Sequence, residues 1–241
     1  MTTSATLEPR VDVRRAGERP ATRLPWLDSK HSFSFGRHYD PRNTHHGLLL
    51  VSNDDVVRPG GGFATHPHRD MEIVTWVLQG SLVHQDSTGH AGVIYPGLAQ
   101  RMSAGTGVAH SEENAGDVDT RFVQMWVRPD TPSVAPSYEQ RDISADLARG
   151  GLVPVAGGPG SGAAVTIQQR DAVLWAGQLR AGEAVDLPDG RHVHLYVARG
   201  AAALEGAGEL AEGDSVRLTA AGAPRLAADA SGVEVLVWAT A

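Results

Sequence analysis

The stretch Thr65–Ser87, THPHRDMEIVTWVLQGSLVHQDS, decides how this chain reads. A β-branched and aromatic run, MEIVTWVLQ, is followed by Gly80 and a second run, SLVHQDS, the pattern of two short strands joined at a glycine turn. In front of them, His66 and His68 are spaced i, i+2, which on a strand turns both side chains to the same face. A second pair with that spacing, His110 and Glu112, stands in GVAHSEEN, residues 107–114. Two strands of one barrel, each offering two ligands to the interior, can close around a single ion.

Working outward, the same texture continues. HGLLLVSNDDVV (46–57) reads as a strand and a turn; AGVIYPG (91–97), RMSAGTG (101–107) and RFVQMWVRP (121–129) extend the series. Short strands punctuated by Gly, Pro, Asp and Asn suit an all-β sandwich or barrel. The best helix signal is ISADLARGG, about two turns ending at Gly150, with Asp142 or Ser144 as N-cap. Between residues 128 and 162 the composition shifts to Pro129, Pro132, Pro136, Pro154 and the run GGPGSG. Strand texture then resumes in AAVTIQQ, AVLWAGQL, RHVHLYVARG, DSVRLTA and VEVLVWA. Gly80 after TWVLQ can be laid over Gly200 after LYVAR, a weak internal repeat that hints at duplication. The expectation is a barrel over 1–130 (1–9 flexible), a linker with a short helix over 131–162, and a second barrel over 163–241.

Composition narrows the function classes. With 241 residues and 41% hydrophobic content, the chain can bury a sizeable core. No run approaches the ~18–20 apolar residues of a membrane-spanning helix. The opening MTTSATLEPRVDVRR has no apolar segment after its charges, so no secretory signal is expected, and a cytoplasmic protein is. There is no cysteine, which excludes disulfides and thiolate ligands. A net charge of −7 with Lys30 as the single lysine argues against direct nucleic-acid binding. Nine of the eleven histidines lie between His31 and His110, which places the search for a site in the first half.

Gly60, five residues, His66-x-His68 and then Gly80 resemble the first cupin motif; Gly107-x-x-His110-x-x-x-Asn114 resembles the second. Cupins are jelly-roll barrels that commonly hold one metal on these two segments. The usual motif places a glutamate ligand where this chain has Ile73; Glu72 next door faces the other way on a strand. Glu112 can replace that carboxylate. This variant set is similar to the pirin family, as are WLDSKHSFSFGRHYDP, HPHRDMEIVTWVLQG, HQDSTGHAGVIYPG, MSAGTGVAHSEEN and RFVQMWVRP. The resemblance is detailed from Arg23 to Tyr138 and only architectural beyond Gly150.

What the resemblance implies is a bicupin: two jelly-roll barrels in tandem with very little helix, the second degenerate and without metal. It puts the ligands on His66, His68, His110 and Glu112. It implies one divalent transition metal, Fe(2+) foremost, with Mn, Ni, Co, Cu or Zn also accepted by such a donor set. Some relatives are described as quercetin 2,3-dioxygenases, so the expected partners are a small flavonol-like aromatic substrate and O2, with Glu112 as the catalytic group that takes the substrate proton. The alternative is a non-catalytic iron-binding redox sensor acting through a protein partner; a cupin isomerase or epimerase is a third class. A monomer is expected, with no membrane association.

The remaining candidates carry blander expectations. His192 and His194 have ligand spacing but alternate with Val193, Leu195 and Val197 as one buried and one exposed strand face. His45 and His46 are adjacent and suit a loop. His84 and Asp86 suit a hairpin closure better than a hydrogen-bonded pair. Trp26, His31, Phe33 and Phe35 are expected to be mostly core, with one of them lining a cavity. Glu72 is expected to be either a partner of a ligand histidine or a surface carboxylate. Phe63, Met102 and Met125 fit cavity wall and core equally.

Overall fold

The computed structural model describes residues 8–241 and is almost entirely strand. Most of the terminal segment expected to be flexible, residues 1–7, lies outside the described residues. The first half runs β1 (Arg10–Arg14), β2 (Ala21–Leu24), β3 (Leu27–His31), β4 (Leu49–Val57), β5 (Gly62–His68), β6 (Glu72–Gln79), β7 (Leu82–Asp86), β8 (Ala91–Ile94), β9 (Leu98–Ser103), β10 (Val108–Glu113) and β11 (Thr120–Val127). Next come β12 (Ser137–Asp142) and α1 (Ser144–Leu147). The second half is β13 (Leu152–Gly157), β14 (Val165–Thr166), β15 (Ala172–Leu179), β16 (Ala184–Asp186), β17 (His192–Leu204), β18 (Gly208–Ala211), β19 (Ser215–Thr219) and β20 (Arg225–Thr240).

In the first half, a seven-stranded sheet, β12-β9-β6-β11-β4-β3-β2, faces a four-stranded one, β5-β10-β7-β8. In the second, β19-β17-β20-β15-β13-β14 form the spine of a nine-stranded sheet. These are tandem cupin barrels. The turn read at Gly80 is present, but it carries the chain from β6 in the large sheet to β7 in the small one, so the two strands do not pair as a hairpin. Its φ of 70° is the left-handed conformation that glycine adopts without penalty, and Gly200, its counterpart in the repeat, sits at 73°.

The structure departs from the expected elements in three places. SNDD is not a turn: β4 runs unbroken through Asn53, Asp54 and Asp55, all of them buried. Asp54 is held there by partners distant in sequence, accepting from both Arg121 and Tyr196. The helix is one turn, because only Ile143 and Leu147 find a core and Gly150 and Gly151 both take positive φ. Finally, β1 pairs with β19, so the chain begins on the second-half sheet before it builds the first.

The seam between the halves is itself hydrophobic core. Trp76, Val123, Met125 and Leu49 from one side pack with Val155, Leu174, Leu236 and Trp238 from the other. Trp76 Nε1 donates to Glu234 at 3.0 Å across it. His194 belongs here: it is buried, its ring 5.6 Å from that of Phe33, with the Arg217 guanidinium over the other ring. The expected exposed face of β17 is therefore covered by the first barrel. His46 Nε2 donates to the Leu218 carbonyl oxygen at 3.0 Å, and its ring meets His192 edge-on.

Candidate metal centre

The site begins with strand register. β5 and β10 are antiparallel, and His110 lies directly opposite His66, with Val108 opposite His68. A register shift between His110 and Glu112 then brings Glu112 opposite Phe63. The close approach here needs Gly62: a Cβ would stand 2.5 Å from the Glu112 carbonyl oxygen. The two i, i+2 pairs thus come together across one ladder. The rings of His66, His68 and His110 have centroids 4.6–5.0 Å apart, and a nitrogen of each lies within 4.8 Å of the others.

The unsatisfied atoms of this cluster suit a cation. His66 Nδ1 is 2.8 Å from the Ala64 carbonyl, which can only accept, so that nitrogen carries the proton and Nε2 keeps its lone pair. His68 Nε2 and His110 Nε2 are buried with no hydrogen-bond partner, an arrangement a protein rarely tolerates without a ligand. Burial, reinforced by the neighbouring imidazoles, pushes His68 down to about 4 and His110 down to about 3, so both are neutral donors at pH 7. Glu112 is buried and accepts from Thr75 Oγ1 at 3.3 Å and from Gln124 Nε2 at 2.6 Å. Burial pushes its carboxyl up to about 7. A divalent ion beside it would reverse that direction, because an adjacent cation favours the carboxylate.

His84 joins the cluster as well, beyond the hairpin role expected of it. It is both hairpin and hydrogen-bonded partner: Nε2 lies 3.3 Å from Asp86 Oδ2, while Asp86 Oδ1 accepts from Thr88 in the turn. Its Nδ1 is 3.4 Å from His110 Nδ1, and it forms a second close group with His110 and Glu112. With Asp86 accepting from Nε2, His84 Nδ1 is left to accept from His110, which frees His110 Nε2 for an ion. The clue in sequence was Asp86-x-His84 itself, the same same-face spacing as the ligands.

Glu72 takes neither expected role. It is buried and accepts from Ser103 Oγ at 2.6 Å and from the Gln168 backbone N–H at 3.0 Å, tying the two halves together.

Opposite the histidines, the large sheet presents a polar row. His31, Asn53, Gln124, Thr75 and Gln100 are cross-strand neighbours over β3, β4, β11, β6 and β9. Between this row and the histidines lies a cavity of about 380 Å³, bordered by His66, His68 and Glu112. Trp26, Phe35, Phe63 and Trp126 supply aromatic wall, and His31 lines it too; Phe33, Met102 and Met125 are core. The N-terminal aromatics thus contribute more to the cavity than expected, because β2 and β3 close its side.

Fold and cluster together define a bicupin with an imidazole-and-carboxylate metal-type site in its first barrel. The chain belongs to the pirin family. It matches the family model described as Pirin over residues 12–127 and that described as Quercetinase C-terminal cupin domain over 155–238. It is 57% identical over 230 residues, 95% of this chain and 94% of the other, to the Mycobacterium tuberculosis (strain ATCC 25618 / H37Rv) protein named "Putative quercetin 2,3-dioxygenase Rv0181c". It is 46% identical over 136 residues, 56% of this chain and 59% of the other, to the Escherichia coli (strain K12) protein named "Quercetin 2,3-dioxygenase". Among solved structures, the bacterial pirin YhhW from Escherichia coli in complex with nickel(II) matches with a TM-score of 0.86 and 34% identity, covering 95% of this chain and 98% of that one. A His/Glu group that can hold a metal is present here too. No helix among the described residues is long and apolar enough to cross a membrane.

Proposed function

We propose that this chain is a metal-dependent dioxygenase of the quercetin 2,3-dioxygenase type, with His66, His68, His110 and Glu112 as ligands of one divalent transition ion, Fe(2+) foremost. The observation that carries this reading is the convergence of unpartnered imidazole nitrogens and a buried carboxylate on an aromatic-lined cavity. The names of the relatives support the reaction class. The ion, when bound, supplies a Lewis-acid and redox centre for an aromatic hydroxyl and O2.

The protein's own groups do the rest. Trp26, Phe63 and Trp126 hold a flat ring and exclude water. Glu112 would take the substrate's hydroxyl proton, with Gln124 and Thr75, which both donate to its carboxyl, keeping it oriented. Glu112→Gln separates ligand from base: the variant should retain metal to within about tenfold and lose flavonol turnover. Parallel loss of both would leave Glu112 a ligand only. No turnover by the wild-type chain with Fe, Mn, Ni, Co or Cu would overturn the dioxygenase reading in favour of a metal-dependent sensor.

A further inference from the structure

The buried carboxylate of Asp55 is used by nothing so far described. It sits on β4, is 3% exposed, and lines the same cavity as His66, His68 and Glu112. Its Oδ1 is buried with no hydrogen-bond partner. A buried carboxyl oxygen without a partner is costly to keep in a fold. Its neighbour Asp54 shows the contrast: that side chain points to the seam and is fully engaged by Arg121 and Tyr196. No cationic side chain of the protein pairs with Asp55 in the same way; burial pushes its carboxyl up to about 7, with Ser29 acting in the opposite direction. Asn53, two residues earlier on the same strand face, also lines the cavity, its amide oxygen 3.0 Å from His31 Nδ1.

We propose that Asp55 is the specificity-determining anchor of this cavity, taking a hydroxyl group of a planar, polyhydroxylated aromatic ligand whose other oxygen edge faces His66, His68 and Glu112. A hydroxyl suits the position because it can both donate and accept, and so satisfies Oδ1 whichever protonation state the acid holds. A ligand ammonium would have to share the cavity with a divalent ion. The walls select flat rings: Trp26, Phe35, Phe63 and Trp126 border the space between the two polar ends. This inference rests on the metal-site reading above, because the second end of the ligand is fixed there.

The test is anaerobic calorimetric binding to the metal-loaded full chain, which reads affinity without turnover. Two probes are compared: quercetin, and 3-hydroxyflavone, which keeps the enol and ketone oxygens and lacks the outlying hydroxyls. The wild type should bind quercetin about tenfold more tightly, the weight of one buried hydrogen bond. Asp55→Leu should bring quercetin to the affinity of 3-hydroxyflavone and leave 3-hydroxyflavone and metal content unchanged. Asp55→Asn, which keeps the volume and an acceptor oxygen, should retain part of the preference and serves if the leucine variant fails to fold. Equal binding of both probes by the wild type, or a preference that survives both substitutions, would overturn the role of Asp55 and leave the metal site standing. Failure of both probes to bind the wild type would overturn both this inference and the flavonol reading.

Discussion

The two barrels share an architecture and fill their interiors in opposite ways. The second is packed with aliphatic side chains: Leu195, Val197, Leu204, Val216, Leu218 and Val235 are buried together in one cluster. The first places His66, His68, Glu112, Asp55, His31, Asn53 and Gln124 around open space. Each buried polar atom there costs stability unless it is partnered, and several are not. One barrel is therefore built for packing, and the other gives up packing for a site. The shared seam, with Trp76 and Trp238 at its centre, lets the dense barrel support the hollow one.

That contrast can be broken deliberately. The largest effect is expected at the site: His110→Ala should weaken metal binding by more than about 100-fold while changing the thermal midpoint of the metal-free protein little, because relief of the buried, unpartnered Nε2 offsets the loss of the contact from Nδ1 to His84. Metal titration and calorimetry on the same sample check this. In the other barrel the result should invert. Leu195→Ala should cost about 2–5 kcal/mol in denaturant unfolding and leave metal affinity within about twofold. A parallel fall in metal affinity would mean that the two interiors are one cooperative unit.

The smallest effect is expected at the seam and depends on pH. Burial beside Arg217 and His46 holds His194 well below the usual imidazole range, and burial pushes His46 down to about 4. The unfolded chain takes up these protons near pH 6.5 and the folded chain only at lower pH, so stability is lost as pH falls from about 6.5 towards 4. His194→Leu should shallow that loss in thermal midpoint while matching the wild type near pH 8. An unchanged acid limb would show that His194 is already protonated in the fold.

The proposed ligands are legible because their logic is local. Same-face spacing within each strand, together with flanking glycines, picks out His66, His68, His110 and Glu112 without knowledge of the sheet. The strand texture likewise carries the all-β class and the turn at Gly80, though not that the turn crosses from one sheet to the other. What escaped was set by partners distant in the chain. SNDD reads as a turn until Arg121 and Tyr196 arrive to hold Asp54 in a strand. Asn53-x-Asp55 obeys the same spacing rule as the histidines, yet its face could not be assigned before β3 and β11 flanked it. Glu72 finds its partner on Gln168, and β1 finds its sheet some two hundred residues downstream. Neither leaves a trace in local pattern.

The central claim is that one ion sits among His66, His68, His110 and Glu112 in the first barrel. A crystal of the protein as isolated, with diffraction recorded on both sides of the metal absorption edge, tests it most directly. The account predicts a single anomalous peak within bonding distance of the three imidazoles, with a Glu112 oxygen completing the set at about 2.0–2.2 Å. A peak that engages His84 in place of His66 and His68, or one lying in the second barrel, would contradict it.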